Sequence, residues 1–493
     1  MSGKEVSLKK NFIMNAALGM SAFIFPLVTA PYVLRVLGPE GNGKVSFATS
    51  VVSYFALFSQ LGIPTYGVRA CAEVRDDREA LSRCVEELLF INLVMSAVSY
   101  AAFFAAVFLV PNFRENKELF FIASWTILFN CIGMEWLFKG LEKYRYITIR
   151  SLIFKVIALV VMFAIVRTRD DTAAYAFTTV LAASASGVMN LFYARKYVDL
   201  KPIGSLNFRR HMKAVGIFFA MACASTIYTH LDVVMLGFMT TDTDVGYYHA
   251  AVRVKQILVS IVISLGTVLL PRASYYVKQG RMEEFWRISG KALNFVMLAA
   301  SPLALYFILF AKEGIRFLSG NEYGGSVLPM QIIMPTLLFI GLTNIMGIQI
   351  LVPTGREKIV LHSMIAGSVV DLILNTMLIP HMRSSGAAIG TVAAEFAVLV
   401  WQYLFLRKEI HPLVEKIRFG LIAVALAAGS VASILVKRVL PSDSALQCFV
   451  ILLISAVLFF GVYGGILLAG RESLVTEITG QVLRKIGIGK ERR

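Results

Sequence analysis

Apolar residues in this chain gather into long unbroken runs separated by short polar segments. Runs of spanning length begin near Asn11, Val45, Leu88, Leu119, Tyr146, Thr172, Ala214, Val245, Ala292, Gly325, Ile359, Ser384, Phe419 and Ser444. Each holds the roughly 17 to 25 residues with few charges that a helix needs to cross a bilayer. A membrane barrel would instead show segments of about ten residues with alternating apolar and polar positions, and no such alternation is present. The pattern therefore predicts an all-α polytopic membrane protein with about 14 transmembrane helices. Pro26, Pro31, Pro302, Pro329 and Pro335 fall inside these runs, where kinks are expected and neighbouring helices can satisfy the freed backbone groups.

Composition strengthens this reading. The 493 residues are 57% hydrophobic and 16% charged, with a mean hydropathy of +0.71, well below the roughly one-quarter charged content of soluble domains. The net charge of +17 raises nucleic acid as a partner until the basic residues are located. With the N-terminus inside, 33 of the 48 Lys and Arg fall on alternate, cytoplasmic segments and 11 on outer loops, leaving Arg150, Lys155, Arg253 and Lys255 inside spans. This is the asymmetry of the positive-inside rule, so both termini are expected to be cytoplasmic and no nucleic acid is needed. The tail with Arg484, Lys485, Lys490, Arg492 and Arg493 is suited to anionic headgroups. The basic start at Lys4, Lys9 and Lys10 resembles that of a signal peptide, but its apolar run is too long and no cleavage site follows. The five cysteines are scattered, none in an expected outer loop, and indicate no disulfide framework.

The chain carries traces of its own duplication. Leu37-Gly38 with Gly43 matches Leu236-Gly237 with Gly246, and Glu79 with Arg83 matches Glu283 with Arg287. Gly140-Leu-Glu-Lys matches Gly355-Arg-Glu-Lys, and Thr179-Val180 with Arg195-Lys196 matches Thr391-Val392 with Arg407-Lys408. The matches occur in order, and each pairs a span with the one six later. A parallel 6+6 repeat follows, because an even number of spans starts both halves on the same side. The expected organisation is a six-helix lobe at 1–195, a cytoplasmic linker at 196–213, a second six-helix lobe at 214–410, two additional helices at 411–470 and a basic tail at 471–493.

Motifs for catalysis are missing. Gly38 to Lys44 mimics the start of a phosphate-binding loop, but Val45 replaces the Mg²⁺-ligating Ser or Thr and a membrane helix precedes it. The six histidines never stand at i, i+4 spacing, so no zinc-hydrolase motif is present. No outer loop is long enough to hold the catalytic domain of a membrane polymerase or ligase. The chain is expected not to be an enzyme and to carry no cofactor and no metal.

Beside these features, the phrase beginning at Asn11 and including Tyr32-Val33-Leu34-Arg35-Val36-Leu37-Gly38-Pro39-Glu40-Gly41-Asn42-Gly43, together with Phe138-Lys139-Gly140-Leu141-Glu142, carries a family likeness over essentially the whole chain. The chain resembles the polysaccharide repeat-unit flippases, the O-antigen branch of the multidrug/oligosaccharidyl-lipid/polysaccharide exporter superfamily. The resemblance implies transfer of an undecaprenyl-diphosphate-linked oligosaccharide between leaflets of the bacterial plasma membrane by alternating access of two lobes. It also implies association with a polysaccharide polymerase, a chain-length regulator and glycosyltransferases. A working monomer is expected.

An anionic sugar-diphosphate head calls for a cationic, hydrated cavity. In the eighth span His249, Arg253, Gln256, Ser260, Ser264 and Thr267 recur at spacings of three or four, which places them on one helix face. Arg253 is the first candidate for substrate binding, followed by Gln256 and His249. Lys255 lies about 200° around the helix from it. Arg35, Lys155 and Arg272 are further candidates, with snorkelling to headgroups the competing explanation. Asp232 is a candidate proton or sodium site or an ion-pair partner for Arg253. Asp371 with Ser368 and Asn375, and Glu395 with Thr391 and Gln402, form similar stripes that serve either ion coupling or helix packing. The stripe Ser46, Thr49, Ser53 and Gln60 in the second span has the same two readings. Coupling to a proton or sodium gradient, or to the membrane potential, is left open.

Two rival cargoes remain. A multidrug exporter would be expected to carry a carboxylate in the first or eighth span, yet no acid lies between Asn11 and Leu34 or between Gly246 and Arg272. A peptidoglycan lipid-precursor flippase would be expected to carry an arginine well inside the second span, and none lies between Lys44 and Arg69.

Overall fold

The computed structural model describes residues 8–199, 206–441 and 444–485. Part of the expected linker (200–205) and the last eight residues of the basic tail lie outside this range. The described residues form α-helices with short 3-10 and π segments and contain no strand. The reason is the solvent: without water to bond the backbone, a helix satisfies its own N–H and C=O groups.

The chain divides into two compact units, residues 1–249 and 250–493. The first holds α1 (Leu8–Gln60), α2 (Ile63–Glu73), α3 (Arg78–Leu109), α4 (Pro111–Glu115), α5 (Lys117–Gly133), α6 (Glu135–Gly140), α7 (Tyr144–Ile165), α8 (Thr172–Val180), α9 (Gly187–Ala194), α10 (Arg209–Met239) and the first eight residues of α11 (Asp242–Lys278). The lobes expected from the repeat and the units defined by packing are different divisions of the chain, and the packing boundary falls inside α11 between His249 and Ala250.

In the first unit α1 is the central element, packed against α3, α5, α7 and α10. It consists of two arms joined at Gly38, whose φ of 67° and ψ of −179° break the helix ahead of Pro39. Only glycine takes such a conformation without strain. Helical backbone continues through Pro26 and Pro31. α2 lies on α6, with Gly67 against the Trp136 ring and Gly140 against Cys71, over a core of Ile63, Leu88, Trp136, Phe138 and Ile147. α3 is capped by Asp77, whose side chain accepts from the N–H groups of Glu79 and Ala80.

The repeat-matched glycines meet one another. A Cβ on Gly43 would lie 1.7 Å from the Asp242 carbonyl oxygen, and one on Gly246 would lie 1.9 Å from the Pro39 carbonyl oxygen. The second arm of α1 and the start of α11 thus touch backbone to backbone, a distance that only paired glycines permit.

The second unit holds the rest of α11, α12 (Met282–Leu309), α13 (Ala311–Ser319), α14 (Val327–Ile333), α15 (Thr336–Thr343), α16 (Glu357–Val414), α17 (Phe419–Val439), α18 (Ala445–Ala469) and α19 (Ser473–Lys485). α12 is its hub, contacting α14 to α18. The helix continues through Pro302, while the chain bends by 46° between α14 and α15, where Pro335 removes a donor. α17 and α18 pair as a hairpin that docks through Tyr306, which donates to Leu452 O at 2.7 Å, and Tyr463, which donates to Leu298 O at 3.0 Å. Lys437 near the end of α17 pairs with Glu313 at 2.9 Å.

Among the described residues nine helices are long and apolar enough to cross a membrane, or ten if the bent α14–α15 region forms one span. This does not reach the expected fourteen. Two of the nine segments are 49 and 58 residues long, more than twice the about 20 a bilayer needs, and each contains a non-helical residue, Gly38 or Arg383. α5 has 17 residues, too few to be counted. Helices with outward apolar side chains such as Val160, Phe192 and Val431, each more than 60% exposed, need lipid around them. The protein is a multi-pass membrane protein.

Candidate functional site

The first unit contains a polar seam where α1, α10 and α11 meet. On the second arm of α1, Asn42, Ser46, Thr49, Ser50 and Ser53 recur at helical spacing. Thr49 and Ser53 donate to carbonyls of their own helix, Val45 O and Thr49 O, each at 2.8 Å. Asn42 reaches across instead, its Nδ2 standing 3.1 Å from His249 Nδ1. Asp232 is buried and accepts from Tyr248 Oη at 2.5 Å. His230 and Ser50 stand 3.4 Å apart. His249 and Asp232 were visible as candidates in sequence. Asn42 and Tyr248 were not: they act across helices, and spacing along one helix does not reveal such partners.

At the turn ahead of the seam, Asp242 is partly buried against the glycine contact. Burial pushes its carboxyl above the usual range, and Lys44 pulls in the opposite direction. Lys155 on α7 donates to Ser21 Oγ on α1 at 2.7 Å, while Arg35 is exposed on α1. Arg150, one turn before Lys155, is buried beside Glu135 at 3.5 Å.

A second polar cluster spans α3 and the start of α10. Glu87 is fully buried and accepts from the Asn207 N–H at 2.8 Å, from Arg210 Nε at 2.7 Å and from His211 Nε2 at 2.7 Å. His211 Nδ1 in turn stands 2.8 Å from Tyr66 Oη. Sequence reading missed this cluster because Glu87 sits at the edge of an apolar run and its partners are more than 115 residues away.

In the second unit Arg253 is half-buried on α11 and makes no hydrogen bond or ion pair with another described residue. Gln256, one turn on, is exposed. Arg272 donates through Nε to Tyr276 Oη at 2.9 Å and lies over the same ring at 5.6 Å, so it is engaged with its own helix. The two arms of α16 meet through polar groups. Asp371 and Asn375 are buried on the first arm, Thr391 and Glu395 on the second. A Cβ on Gly390 would touch Asn375 Oδ1 at 2.2 Å and Asp371 Oδ1 at 3.1 Å. Gln402 donates to Ser363 Oγ at 3.0 Å, closing a second tie between the arms. Among the described residues no group of three His, Cys, Asp or Glu side chains is arranged to hold a metal ion.

This architecture has known counterparts. The chain is 25% identical over 411 residues to a provisionally named O-antigen transporter of Escherichia coli (strain K12), covering 83% of this chain and 99% of that one. Its fold matches the lipid II flippase MurJ in an inward closed conformation with a TM-score of 0.74 at 14% identity, over 92% of this chain and 99% of that one. It also matches an inward-facing multidrug-resistance transporter of the MATE family with a TM-score of 0.61 at 14% identity, over 82% and 99%. Residues 8–277, more than half of the chain, match the family described as polysaccharide biosynthesis protein, and the chain belongs to that family.

Proposed function

We propose that this chain is a flippase that carries an undecaprenyl-diphosphate-linked oligosaccharide repeat unit from the inner to the outer leaflet of the bacterial plasma membrane by alternating access. The product feeds surface polysaccharide assembly such as O-antigen, capsule or exopolysaccharide. Family membership and the similarity to an O-antigen transporter support the cargo class. The residue-level observation that carries the reading is Arg253. An arginine within an apolar helix costs roughly 2.5 to 3.5 kcal/mol, and this one has no charged or hydrogen-bonding partner among the described residues. A diphosphate supplies the acceptors that offset such a cost.

Gln256 and His249 flank Arg253 in sequence as polar contacts for the sugars, and Arg35, Lys155 and Arg272 are secondary basic positions. Asp232, Asp371 and Glu395 are the positions for proton or sodium coupling, with the membrane potential sufficient if none of them couples. Both termini are cytoplasmic in this reading, no cofactor takes part, and the chain works as a monomer alongside polymerase, chain-length regulator and glycosyltransferases. The decisive variants are Arg253→Ala, which abolishes surface polymer at normal expression, and Arg253→Lys, which retains part of it because charge persists without a planar fork. Normal polymer in both variants would remove Arg253 from the path. Loss of peptidoglycan precursor translocation, or altered drug sensitivity with normal polymer, would replace this cargo with one of its two rivals.

A further inference from the structure

Between α7 and α9, in the first unit, lies a cavity of about 620 Å³. Its inner wall is Arg150 and its rim carries Lys143 and Arg145, with Tyr146, Tyr193 and Met189 completing the lining. Among the described lining residues the only acid, Glu142, is paired with Arg75 at 2.9 Å, so their charge is net positive.

Arg150 is an unusual wall. Its side chain is 3% exposed, and its Nε and Nη1 make no hydrogen bond among the described residues. Its acidic neighbour among the described residues, Glu135, is 3.5 Å away and is shared with Lys139, which approaches more closely at 2.9 Å. The guanidinium also lies 5.7 Å from the Tyr146 ring centroid, a cation–π contact. Buried donors without acceptors are costly, and a phosphate oxygen is the acceptor that a guanidinium fork fits best.

The surroundings place this charge at the level of a membrane interface. Arg150 lies six residues into α7, about 9 Å along its axis. The stacked pair Tyr146 and Tyr193, 4.2 Å between centroids, adjoins Tyr197, and tyrosines gather where headgroups begin. From the cavity mouth Ile149, Ile153, Val156 and Val160 run along the outer face of α7 at helical spacing, 44%, 52%, 59% and 63% exposed. A hydrocarbon chain laid along this stripe would have its polar head in the cavity. Basic pockets beside transmembrane helices are a known form of anionic-lipid recognition.

We propose that the cavity between α7 and α9 binds a lipid bearing an anionic phosphate headgroup, with Arg150 as the phosphate contact and Lys143 and Arg145 as the rim. The site lies within the first unit and does not depend on the proposed transport path. Its ligand is either a bulk anionic phospholipid or a polyprenyl phosphate, two sources of one chemistry.

The test is native mass spectrometry of the full-length, detergent-purified protein titrated separately with phosphatidylglycerol, undecaprenyl phosphate and zwitterionic phosphatidylcholine. The wild type is expected to bind at least one of the two anionic lipids about tenfold more tightly than phosphatidylcholine, and Arg150→Gln is expected to abolish that preference. Because Arg150→Gln alters a buried position, the double variant Lys143→Gln/Arg145→Gln at the more exposed rim is measured beside it, with a loss of about fivefold per charge removed. Preference for phosphatidylglycerol identifies bulk lipid as the source, and preference for undecaprenyl phosphate identifies a polyprenyl carrier. Equal binding of phosphatidylcholine and both anionic lipids by the wild type, or unchanged affinities in the rim variant, overturns the proposal.

Discussion

The backbone contact between Gly43 and the start of α11 offers a direct perturbation. In Gly43→Ala the new methyl group would stand 1.7 Å from the Asp242 carbonyl oxygen, 2.7 Å from its carbon and 2.9 Å from the Gly246 nitrogen. All three are backbone atoms, so no side chain can swing aside, and the two segments must separate by roughly 1.5 Å to restore ordinary contact. Overpacking of this kind costs about 1 to 3 kcal/mol, and the rigid neighbours place it at the upper end. About 3 kcal/mol corresponds to about a hundredfold shift toward the separated arrangement. Amide hydrogen exchange over residues 240–247 in the purified protein reads this opening. The variant is expected to exchange about a hundredfold faster there, with Gly420→Ala as control, since nothing lies within 4 Å of a Cβ at Gly420. Unchanged exchange at 240–247 in Gly43→Ala would refute the close contact.

Glu87→Ala removes the buried carboxylate that Arg210, His211 and the Asn207 N–H share. Breaking a buried pair costs about 3 to 5 kcal/mol, but Arg210 is 46% exposed and can rehydrate, so about 2 to 3 kcal/mol is expected, a fall in Tm of about 5 to 10 °C by thermal unfolding. Asp242 tests linkage: its carboxyl lies above the usual range because of burial, so the ionised form is penalised in the fold and stability rises as pH falls from neutral toward that raised value. Melting followed from pH 7 downward is expected to show this gain, and Asp242→Asn, which also faces Lys44, Glu40 and Glu115, should flatten it. Asp232→Asn is expected to change the pH or sodium dependence of transport if Asp232 couples, whereas Tyr248→Phe and Asp232→Asn lowering thermal stability equally with no change in ion dependence would make their 2.5 Å contact purely structural.

The helical class was legible because a bilayer leaves few alternatives: run length and the absence of alternation excluded strands. The turn at Gly38 was legible too, since Leu37-Gly38-Pro39 joins a positive-φ residue to one without a backbone donor. The expected fourteen spans and the nine or ten long apolar helices differ in part because α1 and α16, each read in the sequence as two runs, are continuous helical segments interrupted at one residue each, Gly38 or Arg383. Among candidate residues, those that stand at regular spacing on one helix were visible in the sequence: His249, Asp232, Asp371 and Glu395. Those defined by a partner on a different helix were missed, as with Asn42 and Tyr248. Glu87 went unread for a related reason, since its partners follow from Asn207 onward; Arg150 stood out as a charge inside a span, but its cavity forms only where Met189 and Tyr193 pack beside α7.

Flipping of the lipid-linked repeat unit is read in a cell lacking this chain, by measuring the polyprenyl-linked glycan pool in each leaflet together with surface polysaccharide. Complete repeat units are expected to accumulate on the inner leaflet with loss of surface polymer, and both are expected to recover with the wild-type chain but not with Arg253→Ala. Normal polymer and an unchanged lipid-linked pool would contradict the proposed function.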